Sequence, residues 1–390
     1  MSSRRAPQGR GWNKLIPVAT AMLSLSLGVG IASGQSGGGG VGVPSPPKLT
    51  DVECLQMCAG IRKAGEGSVV KLSGSNLDNV RWVAFKTADG RKRVEPSSVA
   101  AKRIRATVPE EVGVTTGNVR VIDDLGNAAA TPTKLQIVNT TALSDGGNFR
   151  LTEAQAAPRK TYYFSKKKRR PKVNYVFKGE GQTDVRIEVV KAGSGKTVRS
   201  WVQRGREPLT NYSARWNGRT NGGKTAPNGR FRFRIGAIGN GAAETTADSR
   251  FRHYSHIFPV RGKPRGWGDG FGAGRGHQGQ DIFVSCGTKL VAARGGKVTY
   301  NRWHGAAGWF VVIDGKGTGR DYAYMHLKRR SPLKRGQVVR TGEPIGKVGE
   351  TGNASGCHLH FEIWTAPGWY RGGHPMRSVT KQMRRWAGWS

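Results

Sequence analysis

The sequence predicts a mainly β fold, with two β-sandwiches in series followed by a third β domain of different character. Three observations carry this. From Leu49 onward the chain breaks into short runs of alternating apolar and polar residues divided by glycine and asparagine turns, the pattern of half-buried strands. Between Leu49 and about Val138 no stretch has convincing helical periodicity. At 390 residues the chain is too long for one ordinary domain, so several small cores are expected.

Taken in order, Arg4, Arg5, Arg10 and Lys14 precede an apolar run from Leu15 to Ile31 and the small residues Ala32, Ser33 and Gly34. That is the layout of a secretory signal, here residues 1–34. The run is near the short limit for spanning a bilayer and contains Pro17, Gly28 and Gly30, so cleavage is favoured over an uncleaved N-terminal anchor. The expected location is extracytoplasmic, secreted or associated with the cell envelope. A glycine, serine and proline linker, 35–48, leads to the first folded unit.

The formal charge is +39, and loss of residues 1–34 removes four positive charges and no acids, leaving +35. A field of that size needs an anionic partner. Export moves the expectation from nucleic acid, for which no specific binding is predicted, to anionic cell-wall polymers, acidic glycans or lipid headgroups. The densest basic run, KKKRRPK from Lys166 to Lys172, reads in this setting as a solvated loop or an envelope-binding patch. Four cysteines in an oxidising compartment argue for two disulfides, and their positions suggest Cys54 with Cys58 and Cys286 with Cys357.

The first predicted sandwich, 49–139, rests on SVVKLSG, VRWVAF, IRATVPE, GNVRVID and TKLQIVN; its GSVVKLSGSNL and GNVRVIDDLGN resemble transcription-factor-type immunoglobulin-like domains. The second, 149–240, rests on VNYVFKG, DVRIEVV, KTVRSWV and GRFRFRIGAIG. It is similar to the immunoglobulin-like module of flagellar hook-capping proteins, with Trp216 before a turn of Pro227, Asn228 and Gly229. Neither gathers titratable groups in a way that suggests catalysis, so both read as spacers or adhesive modules.

The chemistry lies in 257–366. In GCHLHFEIW, strand alternation puts His358, His360, Glu362 and Trp364 on one face and Leu359, Phe361 and Ile363 on the other. Two imidazoles side by side on a strand are well placed to hold a cation, or to hold it with one and move protons with the other. In GHQGQDIF, His277 and Asp281 fall on one side of an extended chain, with the small Gly279 leaving room between them. In YAYMHL, Tyr322, Tyr324 and His326 share a predicted face opposite Ala323, Met325 and Leu327.

In this order HQGQD, GTKLVAARGGKV, YMHL, LKRGQVVRTGEPIGKVGETGNASG and HLHFE resemble the lysostaphin-type or LytM family of zinc endopeptidases, which cut the peptide part of bacterial peptidoglycan. The resemblance covers about Phe258 to Trp364. It implies that His277, Asp281 and His360 bind zinc and that His326 and His358 assist catalysis, with a peptidoglycan peptide as substrate. Three protein ligands leave a fourth tetrahedral position open, as in catalytic rather than structural zinc sites. Glu362 is then expected to orient an imidazole rather than bind the metal. Where some members carry a tyrosine shortly before the first motif, this chain has Phe271, which leaves Tyr322, Tyr324 or Tyr300 as stand-ins. His253, His256, His304 and His374 have no motif around them and read as packing or surface residues. The basic, tryptophan-rich tail, 367–390, reads as an amphipathic packing segment or a contact to glycan or the membrane surface. The alternative to a peptidase is a catalytically silent member that binds peptidoglycan and activates another hydrolase.

Overall fold

The computed structural model describes residues 44–139, 147–166, 169–239, 243–274 and 276–389. The expected signal, 1–34, most of the linker, and two lysines of the KKKRRPK run lie outside the described residues. Among the described residues, no helix is long and apolar enough to cross a membrane.

The chain is mainly β. The first unit is one continuous hydrogen-bonded sheet of eight strands, in which Lys63–Ser75 is the connecting element. It pairs with Lys48–Gly60 along its length, with Ala128–Ile137 at its start and with Arg103–Thr107 further on. The sheet wraps one apolar core that includes Val52, Leu72, Phe85 and Val121. Cys54 and Cys58 are joined within the first strand, where its register slips. Glu53 and Glu153 fasten this unit to the next, accepting hydrogen bonds from Asn174 Nδ2 and from the Ile61 N–H.

The second unit packs a five-stranded sheet against a three-stranded one around Tyr175, Trp216, Phe231, Phe233 and Phe251. Its larger sheet includes Arg250–Tyr254, which pairs with both Gly229–Ala237 and Lys160–Tyr162, so the unit continues past residue 240. That strand, RFRHY, alternates exposed arginines with buried Phe251 and His253, an alternation masked in the sequence by its charge.

The third unit is built on a seven-stranded antiparallel sheet. Its order is Gly266–Trp267, Gln280–Phe283, His358–Thr365, Arg320–Leu327, Gly308–Gly315, Gly296–His304 and Val338–Val339. One face carries the main core, with Leu359, Phe361 and Ile363. The other carries a cleft. The tail folds onto this unit: in the helix Val379–Ala387, Val379, Met383 and Trp386 lie three or four residues apart on one face, and all three are buried in the main core. Of the roles expected for the tail, packing is the one these contacts fill. Cys286 and Cys357 form the second disulfide, closing a separation of 71 residues beside the paired strands Gln280–Phe283 and His358–Thr365.

The second and third units meet around Arg294, which is fully buried. Its guanidinium lies 4.0 Å over the Tyr163 ring and donates to Ser255 O at 2.9 Å and Thr225 Oγ1 at 3.1 Å. Asn228 of the proline-asparagine-glycine turn accepts from the N–H groups of Ser255 and His256, pinning the connection into the third unit.

Candidate metal and catalytic site

The sheet register assembles the site. Asp281 sits directly opposite His360, and His360 directly opposite Met325 on the next strand, so the carboxylate and the second imidazole of HLH are cross-strand neighbours. Asp281 Oδ1 lies 2.9 Å from His360 Nδ1, and Oδ2 lies 3.1 Å from His277 Nε2. One ligand atom from each of the three residues lies within 4.8 Å of the others. Gly279 leaves room, but for a ring rather than an ion: a Cβ there would stand 2.6 Å from His360 Nε2.

Backbone carbonyls fix three of the imidazoles. Nδ1 of His277, His326 and His358 lies 2.9, 2.7 and 2.9 Å from the carbonyls of Gly270, Thr351 and Gly356. Each Nδ1 must therefore carry the proton, leaving Nε2 as the bare edge that faces the cleft. His360 is held the other way, with Nδ1 toward Asp281 and Nε2 3.0 Å from Glu362 Oε1. Glu362 is itself fixed by the indole N–H groups of Trp364 at 2.7 Å and Trp369 at 2.8 Å.

These partners set the charges. Burial opposes charge on His360, but Asp281 and Glu362 on either side win and push its pKa up to about 9. His277 is raised chiefly by Asp281. Burial alone would raise the carboxyls of Asp281 and Glu362, yet the imidazoles beside them, His277 and His360 for Asp281 and His360 for Glu362, hold both below the usual carboxylate range. His326 goes the opposite way, pushed down to about 4 by burial. It is a neutral imidazole in neutral water, able to accept a proton.

His326 reaches the site by breaking strand parity. Its φ is +57°, a left-handed conformation that non-glycine residues adopt at a cost. The conformation is held by its N–H donating to Ala307 O at 2.9 Å and its carbonyl accepting from the Gly349 N–H at 2.9 Å. Gly308 lies against the segment that fixes the imidazole, since a Cβ there would stand 2.2 Å from Thr351 O. The shared face expected for Tyr322, Tyr324 and His326 is therefore not formed. Tyr322 and Tyr324 are fully buried in the main core, with Tyr322 Oη 2.7 Å from His256 Nε2 and Tyr324 Oη accepting from the Ala293 N–H, and neither is an oxyanion donor. Tyr300 does line the cleft, while Phe271 packs against the core. The His326 and His358 rings are tilted by 52° with centres 4.6 Å apart, and His358 Nε2 is 3.8 Å from Asp281 Oδ1.

The cleft has a volume of about 1100 Å³. Its lining includes two residues that sequence reasoning assigned only to the tail, Trp369 and Tyr370. The Trp369 N–H donates to Asp321 Oδ2 at 2.9 Å, and Tyr370 Oη is 3.1 Å from Gln278 Oε1. The only signal for them was the aromatic pair in GWYRGG. His304 lies on the cleft wall, His374 is exposed, and His253 and His256 belong to the junction with the second unit.

The donor set suits zinc. Two imidazoles and a carboxylate are borderline N and O ligands of the kind found in catalytic zinc sites. His277 Nε2 is buried and, although close to Asp281, makes no hydrogen bond of acceptable geometry, so a ligand edge is left without a partner.

Residues 275–376 match the model of peptidase family M23. An uncharacterized metalloprotease of Haemophilus influenzae is 38% identical over 144 residues, 35% of this chain and 28% of that protein. The peptidoglycan DD-endopeptidase ShyA of Vibrio cholerae is 38% identical over 87 residues, 22% of this chain and 20% of the relative. The L-Ala--D-Glu endopeptidase of Bacillus subtilis is 36% identical over 108 residues, 25% of this chain and 33% of the relative. The chain thus spans about a fifth to a third of the length of these relatives. Among solved structures, the catalytic domain of lysostaphin from Staphylococcus simulans matches with 25% identity and a TM-score of 0.28, covering 30% of this chain and 92% of that one.

Proposed function

We propose, from the premise that residues 275–376 form a peptidase family M23 domain, that the protein is an exported zinc metalloendopeptidase that hydrolyses peptide bonds in peptidoglycan. The observation that carries this reading is the meeting of His277, Asp281 and His360 at one point of an open cleft, with the bare Nε2 edges of two further histidines beside it.

His277 Nε2, an Asp281 oxygen and His360 Nδ1 would hold the ion. Zinc held there supplies Lewis acidity and lowers the pKa of a water to about 7. The chain's own work is positioning and proton transfer. Glu362 orients His360 and is locked in turn by Trp364 and Trp369, so the ligand shell has a fixed outer layer. His326, neutral and with Nδ1 tied to Thr351, takes up a proton at Nε2; His358, tied to Gly356, offers a second proton carrier beside it. The tyrosine that fits oxyanion support is Tyr300, the one of the three expected candidates on the cleft wall.

The two N-terminal units act as immunoglobulin-like spacers, and the charge, +35 once residues 1–34 are lost, draws the protein to anionic wall polymers. The test is zymography on purified cell walls with and without chelator. Clearing that chelator abolishes and added zinc restores supports the peptidase. Absence of clearing by a folded, zinc-loaded protein favours a silent wall-binding activator.

A further inference from the structure

The cleft is polarised along its length. Of the acids that line it, Asp281 and Glu362 are committed to the imidazoles, which leaves Asp269. Among the described residues, its cation other than histidine is Arg302. Asp269 follows the edge strand Gly266–Trp267, and Arg302 lies on Gly296–His304, five strands across the sheet. At about 4.8 Å per strand this is roughly 24 Å, the length of about seven extended residues.

Arg302 faces the cleft because the fold aims it there. Val298 is buried in the main core, and strict alternation would put Tyr300, Arg302 and His304 on that same side. The pairing with the neighbouring strand slips between Val298 and Tyr300, and this bulge turns all three onto the cleft wall. Bulges that re-aim side chains beside active sites are a recurrent device. The guanidinium lies 5.1 Å over the Tyr300 ring, and Tyr300 meets Trp369 edge to face at 5.2 Å, so the arm has an aromatic floor. Its N–H fork has no hydrogen-bond partner among the described residues. His304 Nδ1 accepts from the Ala307 N–H, which leaves Nε2 as a second donor at that end.

We propose that the Arg302 end of the cleft is a carboxylate subsite, and that Asp269 at the far end excludes carboxylates, so that a peptide binds with its free acid group toward Arg302. The guanidinium fork matches a carboxylate in two-point geometry, and the repulsion at Asp269 fixes the direction of the chain. This rests on the peptidase reading of the same cleft and deepens it: the substrate is a peptide bearing a free side-chain or terminal carboxylate several residues from the cleaved bond.

The test uses a soluble peptidoglycan peptide in two forms, one carboxylate free or amidated, against the zinc-loaded full chain. Both cleavage and calorimetric binding are measured. The acid form is expected to be favoured about three- to tenfold, the scale of one partly exposed charge-assisted contact, and to gain through KM rather than kcat. Arg302→Gln should level the two forms without altering zinc stoichiometry, which also reports that the variant folds; Arg302→Lys should keep part of the preference; Asp269→Asn should leave it in place while improving binding of peptides with a second acid. Equal use of both forms by the unaltered protein, or a preference that survives Arg302→Gln, overturns the subsite. If neither form is cleaved but binding still favours the acid through Arg302, the peptidase reading falls and the subsite stands.

Discussion

Two groups of histidines lie in the third unit and its junction, and their buried members, His326, His358 and His360 in the cleft and His253 at the junction, differ in the company they keep. In the cleft, His277 and His360 are flanked by Asp281 and Glu362, and His326 and His358 are tied to carbonyls with one edge bare. At the junction, His253 packs on Trp216 with ring centres 4.8 Å apart, and His256 stacks on Trp386 at 4.8 Å and 2°, both beside the buried Arg294. Carboxylates push His360 up to about 9; burial first, then Arg294, push both junction histidines down to about 3. Imidazole burial is therefore a poor guide to function, and an acid partner together with an open cavity is the informative pair.

The comparison breaks most visibly at the ligands. Replacing His360 by alanine should release most of the zinc and abolish hydrolysis, read by metal analysis after dialysis; stoichiometric zinc with unchanged affinity would remove His360 from the ligand set. The next largest effect separates ligands from proton carriers. His326→Ala and His358→Ala should each retain zinc and lose about 10²-fold or more in turnover. Loss of metal from either, with retention in His277→Ala, would interchange the roles.

A smaller effect belongs to the junction. His253 and His256 have folded pKa values below the ordinary value of 6.5, so the unfolded chain takes up protons first as pH falls. Their contribution is complete above pH 6.5 and is lost progressively toward about 3, at no more than about 1.4 kcal/mol per histidine per pH unit. Urea unfolding across that window should show the slope, and His253→Phe should reduce it; a slope identical in the variant would mean that this imidazole is not buried neutral.

What was legible in the sequence was local. Alternation in HLHFEIW, the His-x-Gly-x-Asp spacing and the even cysteines all follow from side-chain period or compartment chemistry, and the residues they pointed to meet in space. What was hidden depended on departures from the period or on distant contacts. The positive φ of His326 reversed the face expected for Tyr322 and Tyr324, and the bulge before Tyr300 aimed Arg302 into the cleft. Trp369 and Tyr370 join the site through contacts no local pattern announces, Trp369 to Asp321, 48 residues earlier, and to Glu362, and Tyr370 to Gln278. The strand Arg250–Tyr254 was missed because its exposed positions are arginines, which look like loop charge rather than the outer face of a sheet.

The central claim is that the histidines with acid partners, and not the other polar clusters, hold the metal. X-ray diffraction from zinc-loaded crystals on both sides of the zinc absorption edge locates the ion without assumption about ligands. One anomalous peak per chain, between His277, Asp281 and His360, is the expected result. A peak at the junction histidines or beside Glu350, where Cys286 and Cys357 are consumed by their disulfide, or no peak at the cleft in a protein that still hydrolyses walls, would contradict it.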